Sequence, residues 1–239
     1  MRIAALAFAL LLAAVPAAPA FGQAAADPEE RLVMTTSGFL GAHPDLRHRL
    51  AGLEAYRHGD HADAYSRFRA AARYADKPSQ AMVAEMLWEG RGVAQDKPLA
   101  YAWMDLAAER GYPLMLVKRE RYWNELGDAG RARAMEIGGA VYEEYGDEVA
   151  RPRLERALRV ARRNTTGSRV GSVGALTIII PTPSGEQIVD GTTYYDDKFW
   201  DVDQYLQWQD DDWKQNAEGT VDVGEVMKVG EPLPEDGGE

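Results

Sequence analysis

Between Leu46 and Tyr145 the apolar residues return every three or four positions, the spacing that gives a helix one buried side. Ala64, Phe68, Ala71, Ala72 and Ala75 fall on one such stripe, and Ala100, Trp103, Met104, Ala107 and Ala108 on a second. The stripes are copies of each other. Asp60, Ala64, Tyr65, Ala71 and Ala72 recur 36 residues later as Asp96, Ala100, Tyr101, Ala107 and Ala108. A fainter third copy places Asp128, Ala132, Gly139 and Ala140 at 68 residues beyond the first, two steps of 34. Periods of this length predict stacked helix pairs, each too small to bury its apolar side without a neighbour. Leu46, Leu50 and Leu53, then Val83, Met86 and Leu87, supply the preceding helix of the first two pairs. Gly59-Asp60, Gly90-Arg91-Gly92 with Asp96, and Gly127-Asp128 mark the turns, where glycine supplies positive φ and aspartate caps the next helix. Trp88, Tyr101 and Trp103, at helical spacing beside alanines, read as packing residues.

Within the second copy, Gly90, Gly92-Val93, Asp96, Ala100, Trp103, Ala107-Ala108 and Gly111 stand in the order and at the spacing of the Sel-one-like repeat family. The segment 81–111 resembles one such repeat. The residues from Leu50 to Ala75 resemble the related tetratricopeptide pattern without the Gly-Val insertion, and the third pair is degenerate. The resemblance implies an α-solenoid that binds proteins or peptides, and it implies no catalytic residues.

The chain ends differ from this middle. Arg2 followed by the apolar run Ile3 to Val15 and small residues reads as a cleavable export signal over 1–24, placing the mature protein in the periplasm or outside the cell. Residues 25–45 then read as a linker. No later segment is apolar enough to cross a membrane. Arg151 to Arg163 predicts a capping helix within 146–166, with Leu154, Ala157, Leu158 and Ala161 on its apolar side and Pro152 near its start. Opposite stand Arg156, Arg159 and Arg163, either a solvated face or an anion site. Leu176 to Ile180 predicts a buried strand, ended by Pro181 to Gly185.

Charge sharpens the division. The net charge is −11, yet from Ala175 onward sixteen acids face three lysines, so the remainder is close to +2. Seven aromatics between Tyr194 and Trp213 alternate with these acids. Burying even a few such rings is worth about 2 kcal/mol each, so 167–213 is expected to pack back onto the solenoid, with a short helix near Val202 to Trp208 capped by Asp201. Residues 214–239 read as an acidic tail, disordered from Glu231 to the end.

These features bound the function. An acidic chain is a poor match for nucleic acid, and the absence of cysteine removes disulfides and thiol chemistry. His58, Asp60 and His61 sit in a turn that the repeat already explains, and Asp201 to Asp212 lacks the glycine and glutamate of a calcium loop. No cofactor is expected. A mainly α protein follows: about three antiparallel helix pairs in a solenoid, a capping helix, and a partly extended acidic and aromatic C-terminal segment. The expected function is an exported scaffold for a protein or peptide partner, without catalysis. The alternative is a binder of cell-wall glycan through Trp200, Tyr205, Trp208 and Trp213, whose flat faces suit sugar rings.

Overall fold

The computed structural model describes residues 28–165, 177–182 and 185–215. The expected signal, the glycine-rich approach to the strand, and the acidic tail beyond Gln215 lie outside the described residues. The described chain is mainly α-helical. Its helices are α1 (Pro28–Thr35), α2 (Ser37–Ala42), α3 (Pro44–Arg57), α4 (His61–Ala72), α5 (Lys77–Glu89) and α6 (Lys97–Ala107), which runs into a 3-10 turn. After these come α7 (Pro113–Glu125), α8 (Asp128–Tyr145) and α9 (Asp147–Thr165). A hairpin of β1 (Thr177–Thr182) and β2 (Gly185–Asp190) leads to α10 (Gly191–Tyr194), α11 (Asp197–Trp200) and α12 (Val202–Gln215).

The two stripes seen in the sequence form the first core. Helix α3 packs along α4, α5 along α6, and α4 against α5. Ala64, Phe68, Ala71, Ala72 and Ala75 are all buried, as are Ala100, Trp103, Met104, Ala107 and Ala108. Asp60 and Asp96, equivalent in the repeat, are equivalent in place: each caps the second helix of its pair, accepting from the backbone N–H three residues on. Trp88 stacks on Tyr122 with ring centres 3.9 Å apart, and Trp103 meets Tyr145 at 4.5 Å. The packing role expected of the aromatics therefore holds.

The third copy sits in a different register. Ala132, Gly139 and Ala140, expected on its buried stripe, are exposed. Helix α8 instead buries Ala134, Val141 and Tyr145, with Ile137 half-buried. Ala134 and Val141 stand 70 residues beyond Ala64 and Ala71, where the sequence match placed the third copy at 68. Weak alanine identities misplaced it by half a turn, because alanine is common on either side of a helix. Gly127 has φ −72° and needs no left-handed geometry; it is the N-cap position, and Asp128 is the first residue of α8.

A second core gathers both ends of the chain. The expected linker is helical from Pro28 onward: Val33, Phe39 and Ala42 are buried, and Thr36 Oγ1 caps α2 by accepting from Phe39 N at 3.2 Å. Helices this short carry too few turns for a periodicity to show. Phe39, Tyr194, Phe199, Trp200 and Tyr205 pack with Leu154 and Leu158 of α9. His43 lies at the centre, stacked on Phe39 at 3.7 Å. Its Nδ1 is 2.8 Å from Phe39 O and its Nε2 2.7 Å from Phe199 O. A neutral ring donates to one of these carbonyls and the imidazolium to both. From Tyr194 to Trp208 the acidic aromatic segment packs chiefly on α9 and on the helices of the expected linker, and of its described rings Trp213 reaches the first core. Asp201 Oδ1 caps α12 by accepting from Asp203 N and Gln204 N, each at 3.1 Å. The expected strand is half of an antiparallel hairpin with Ile179 opposite Ile188. Only its inner side is covered: Ile180 and Val189 are buried, while Ile179 and Ile188 are 58% and 71% exposed.

A polar seam joins the two cores and fixes α9. Lys77 Nζ, fully buried, reaches Glu109 Oε2 at 2.6 Å and Asp147 Oδ1 at 3.0 Å. Arg110 donates to Asp147 through Nε at 2.7 Å and to Asp210 through Nη1 at 3.1 Å. Tyr112 Oη also donates to Asp210. Further along, Asp45 Oδ2 accepts from Tyr205 Oη at 2.6 Å and Gln209 Nε2 at 3.2 Å. Helix α12 therefore lies along the edge where α3 and α7 begin. Burial alone would raise the pKa of Asp147, but the Arg110 bond and the Lys77 charge outweigh it and hold the carboxyl below its ordinary value. A lowered folded-state pKa gives stability that is present above the unfolded value and lost as pH falls. Asp147→Asn is accordingly expected to be less stable than the parent at pH 7, with the gap closing below about pH 4. Urea midpoints of both proteins across that range check this, and a gap that stays constant contradicts it. Asp76, buried beside Arg49, works in the opposite sense: burial raises its pKa, so its ionisation on raising pH costs stability.

Candidate functional site

Helix α9 has more apolar surface than one core uses. Leu154 and Leu158 point into the second core and are fully buried, whereas Val149, Pro152, Ala157, Val160 and Ala161 form a second apolar strip at i, i+3, i+8, i+11 and i+12. That strip is one wall of a cleft of about 1000 Å³. The opposite wall comes from the α2–α3 junction, at Gly41, Ala42 and Pro44, and from the end of α4, at Arg73 and Tyr74. Its size falls within the range of small-ligand and peptide pockets. Val160 is 51% exposed, a large apolar side chain left open to the cleft.

The lining is also cationic. Arg73, Arg153 and Arg156 stand in it against one acid, Glu148. Arg73 Nη1 contacts Glu144 Oε1 at 2.5 Å, and Arg153 Nη1 donates to Glu144 O at 2.5 Å, so these two guanidinium groups are held in place. Among the described residues Arg156 has no hydrogen bond or ion pair, and it is exposed. The cleft thus combines fixed positive charge, one arginine with no partner among the described residues, and apolar side chains. Such a lining can hold a ligand by burial and charge; two or more acids, or a nucleophile with a base, do not converge in it.

Of the basic residues singled out in the sequence, only Arg156 lines the cleft. Arg159 is exposed and paired with Glu155 at 3.0 Å, and Arg163 is exposed beyond the lining. The aromatic set is dispersed. Trp200 is 4% exposed, with its Nε1 donating to Tyr194 O at 2.7 Å, and Tyr205 is fully buried against Asp45. Neither can stack on a sugar from outside, because their faces are occupied by Phe39, His43 and each other's neighbours. Trp208 is half-buried on Phe199 and Tyr205, and Trp213 is half-buried against the first core. Burial of Trp200, Tyr205 and Trp208 stabilises the second core.

Arg73, Tyr74, Arg153, Val149 and Val160 were not singled out from the sequence, and Pro152 only as a residue near the helix start. The strip on α9 is readable from its spacing, but half of the wall facing it, at Gly41, Ala42 and Pro44, belongs to a segment read as linker, and the other half to the end of α4. Among the described residues no three His, Asp or Glu side chains are grouped to hold a metal ion, and no helix is long and apolar enough to cross a membrane. In comparisons with known proteins, no family model, no curated protein and no solved structure matches this chain.

Proposed function

We propose that this protein is an exported helical-repeat scaffold, an α-solenoid of three helix pairs of the Sel-one-like type, that binds a peptide segment of a partner protein and performs no catalysis. The observation that carries this reading is the cleft beside α9, with its apolar and cationic lining and lack of convergent acids or nucleophiles. Support also comes from the two stacked helix pairs, α3 with α4 and α5 with α6, whose stacking leaves extended surfaces between helices. The export signal and the tail enter only as sequence features. A glycan-binding role rests on rings of which two are packed away and two half-covered, and it is the weaker reading.

Site-specific photo-crosslinking tests the scaffold reading. A photoreactive side chain at Val160 is expected to yield one discrete adduct with a partner polypeptide in bacteria expressing the full chain. The same group at Val117, 67% exposed on α7, serves as the control and is expected to yield none. Ala157→Trp, which fills the cleft, is expected to abolish the Val160 adduct. Adducts of equal yield from both positions, or an adduct indifferent to Ala157→Trp, overturn the assignment of the cleft.

A further inference from the structure

The occupant of the cleft can be narrowed by asking how the six arginines of α9 are used. Two of them already bind acidic residues of this chain's own C-terminal segment: Arg151 pairs with Asp203, and Arg162 meets Asp197 at 2.9 Å. On that side of the helix the pattern is carboxylates on arginines, with aromatic and apolar neighbours packed onto Leu154 and Leu158. The cleft side repeats the receiving half of the pattern. Arg153 and Arg156 stand one turn apart along a strip of Val149, Pro152, Ala157 and Val160, and nothing described fills it.

Resting on the scaffold reading above, we infer that the cleft takes an extended acidic–apolar peptide, whose carboxylates meet Arg156 and Arg153 while its apolar side chains sit on Val149, Pro152 and Val160. Charge complementarity carries the choice: the lining has three arginines against Glu148, in a chain whose overall charge is −11. A basic or neutral peptide gains nothing from Arg156. Length agrees as well. The lining on α9 runs from Glu148 to Ala161, about 20 Å of helix at 1.5 Å per residue. An extended peptide of about six residues spans that distance, with acidic and apolar side chains in reach of the interleaved arginines and apolar residues of α9.

The test uses the full chain and three fluorescent peptides of about eight residues, alternating valine with glutamate, glutamine or lysine, read by anisotropy. The glutamate peptide is expected to bind roughly tenfold more tightly than the glutamine peptide at about 50 mM salt, the advantage shrinking at about 500 mM as the charges are screened. Arg156→Glu is expected to weaken the glutamate peptide about tenfold or more, and Val160→Asp to weaken both it and the glutamine peptide. Arg159→Glu, outside the cleft, is expected to leave affinity unchanged, and unaltered thermal melts of each variant show that the fold is kept. Equal binding of the glutamate and glutamine peptides, still sensitive to Val160→Asp, removes the acidic class but leaves the scaffold reading in place. Arg159→Glu as damaging as Arg156→Glu overturns the site, since the attraction is then a general one. Binding of none of the three peptides overturns the inference; if the Val160 crosslink is also missing, the scaffold reading falls with it.

Discussion

Lys77→Met is expected to lower the unfolding free energy by about 3 kcal/mol, the lower end of the range for removing one partner of a buried ion pair. The side chain is fully buried and its ammonium contacts Gln80 Oε1 at 3.1 Å, Leu106 O at 3.2 Å, Glu109 Oε2 at 2.6 Å and Asp147 Oδ1 at 3.0 Å. Methionine fills much of the same space, so the loss measures the charge and not a cavity. It leaves Glu109 and Asp147 near each other with Arg110 alone to neutralise them. The upper end of the range does not apply, because those carboxylates keep 28% and 26% exposure and recover some hydration. A urea midpoint lowered by about 1 M or more is the expected reading. Coupling is part of the expectation: Asp147→Asn added to Lys77→Met is expected to cost less than the sum of the two single changes. A midpoint within error of the parent, or strictly additive losses, shows that α9 is held by its apolar contacts alone.

Gly92→Ala is expected to destabilise by roughly 3 kcal/mol, and Gly111→Ala by only about 1 kcal/mol. Both glycines have left-handed backbone, φ +73° and +76°, and so share the strain that any side chain adds there. They differ in what surrounds them. A Cβ at Gly92 meets the carbonyl carbon and oxygen of His61 at 2.3 Å, whereas at Gly111 nothing lies within 4 Å. His61 is the first residue of α4, so the turn after α5 presses on the start of the preceding pair's second helix. Backbone does not step aside as a flexible side chain does, and relief requires the two pairs to separate. The difference between the two variants, from thermal or urea melts, isolates the close approach from the strain. Equal losses at the two positions refute the contact between the turn and α4.

The fold is most legible in the sequence where one physical signal acts alone. Two helix pairs, the residues on their buried stripes, the aspartate caps at Asp60 and Asp96, the aromatic packing and the cap of α12 at Asp201 all come from short-range rules. Periodicity places a residue on a side of its own helix, and a cap needs only the next three residues. The same rules failed where the signal was thin. Ala132, Gly139 and Ala140 matched the repeat by identity alone, and the helix settled with Ala134 and Val141 inward because those positions meet α6. Residues 28–42 carried helices too short to show a period.

What the amino-acid order determined by itself was the helical character of the chain, the first core, and the separation of a nearly neutral body from an acidic end. Tertiary structure decided which surfaces remained. Whether Trp200 and Tyr205 were platforms for a ligand or bricks of a second core depended on Phe39 and His43, about 160 positions away in the chain. Whether Arg156 or Arg159 bordered a cleft depended on which side of α9 met α2 and the end of α4. Side-chain chemistry is local to the sequence, but burial is set by whatever arrives opposite, and long-range arrivals leave no mark on a residue's neighbours in the chain.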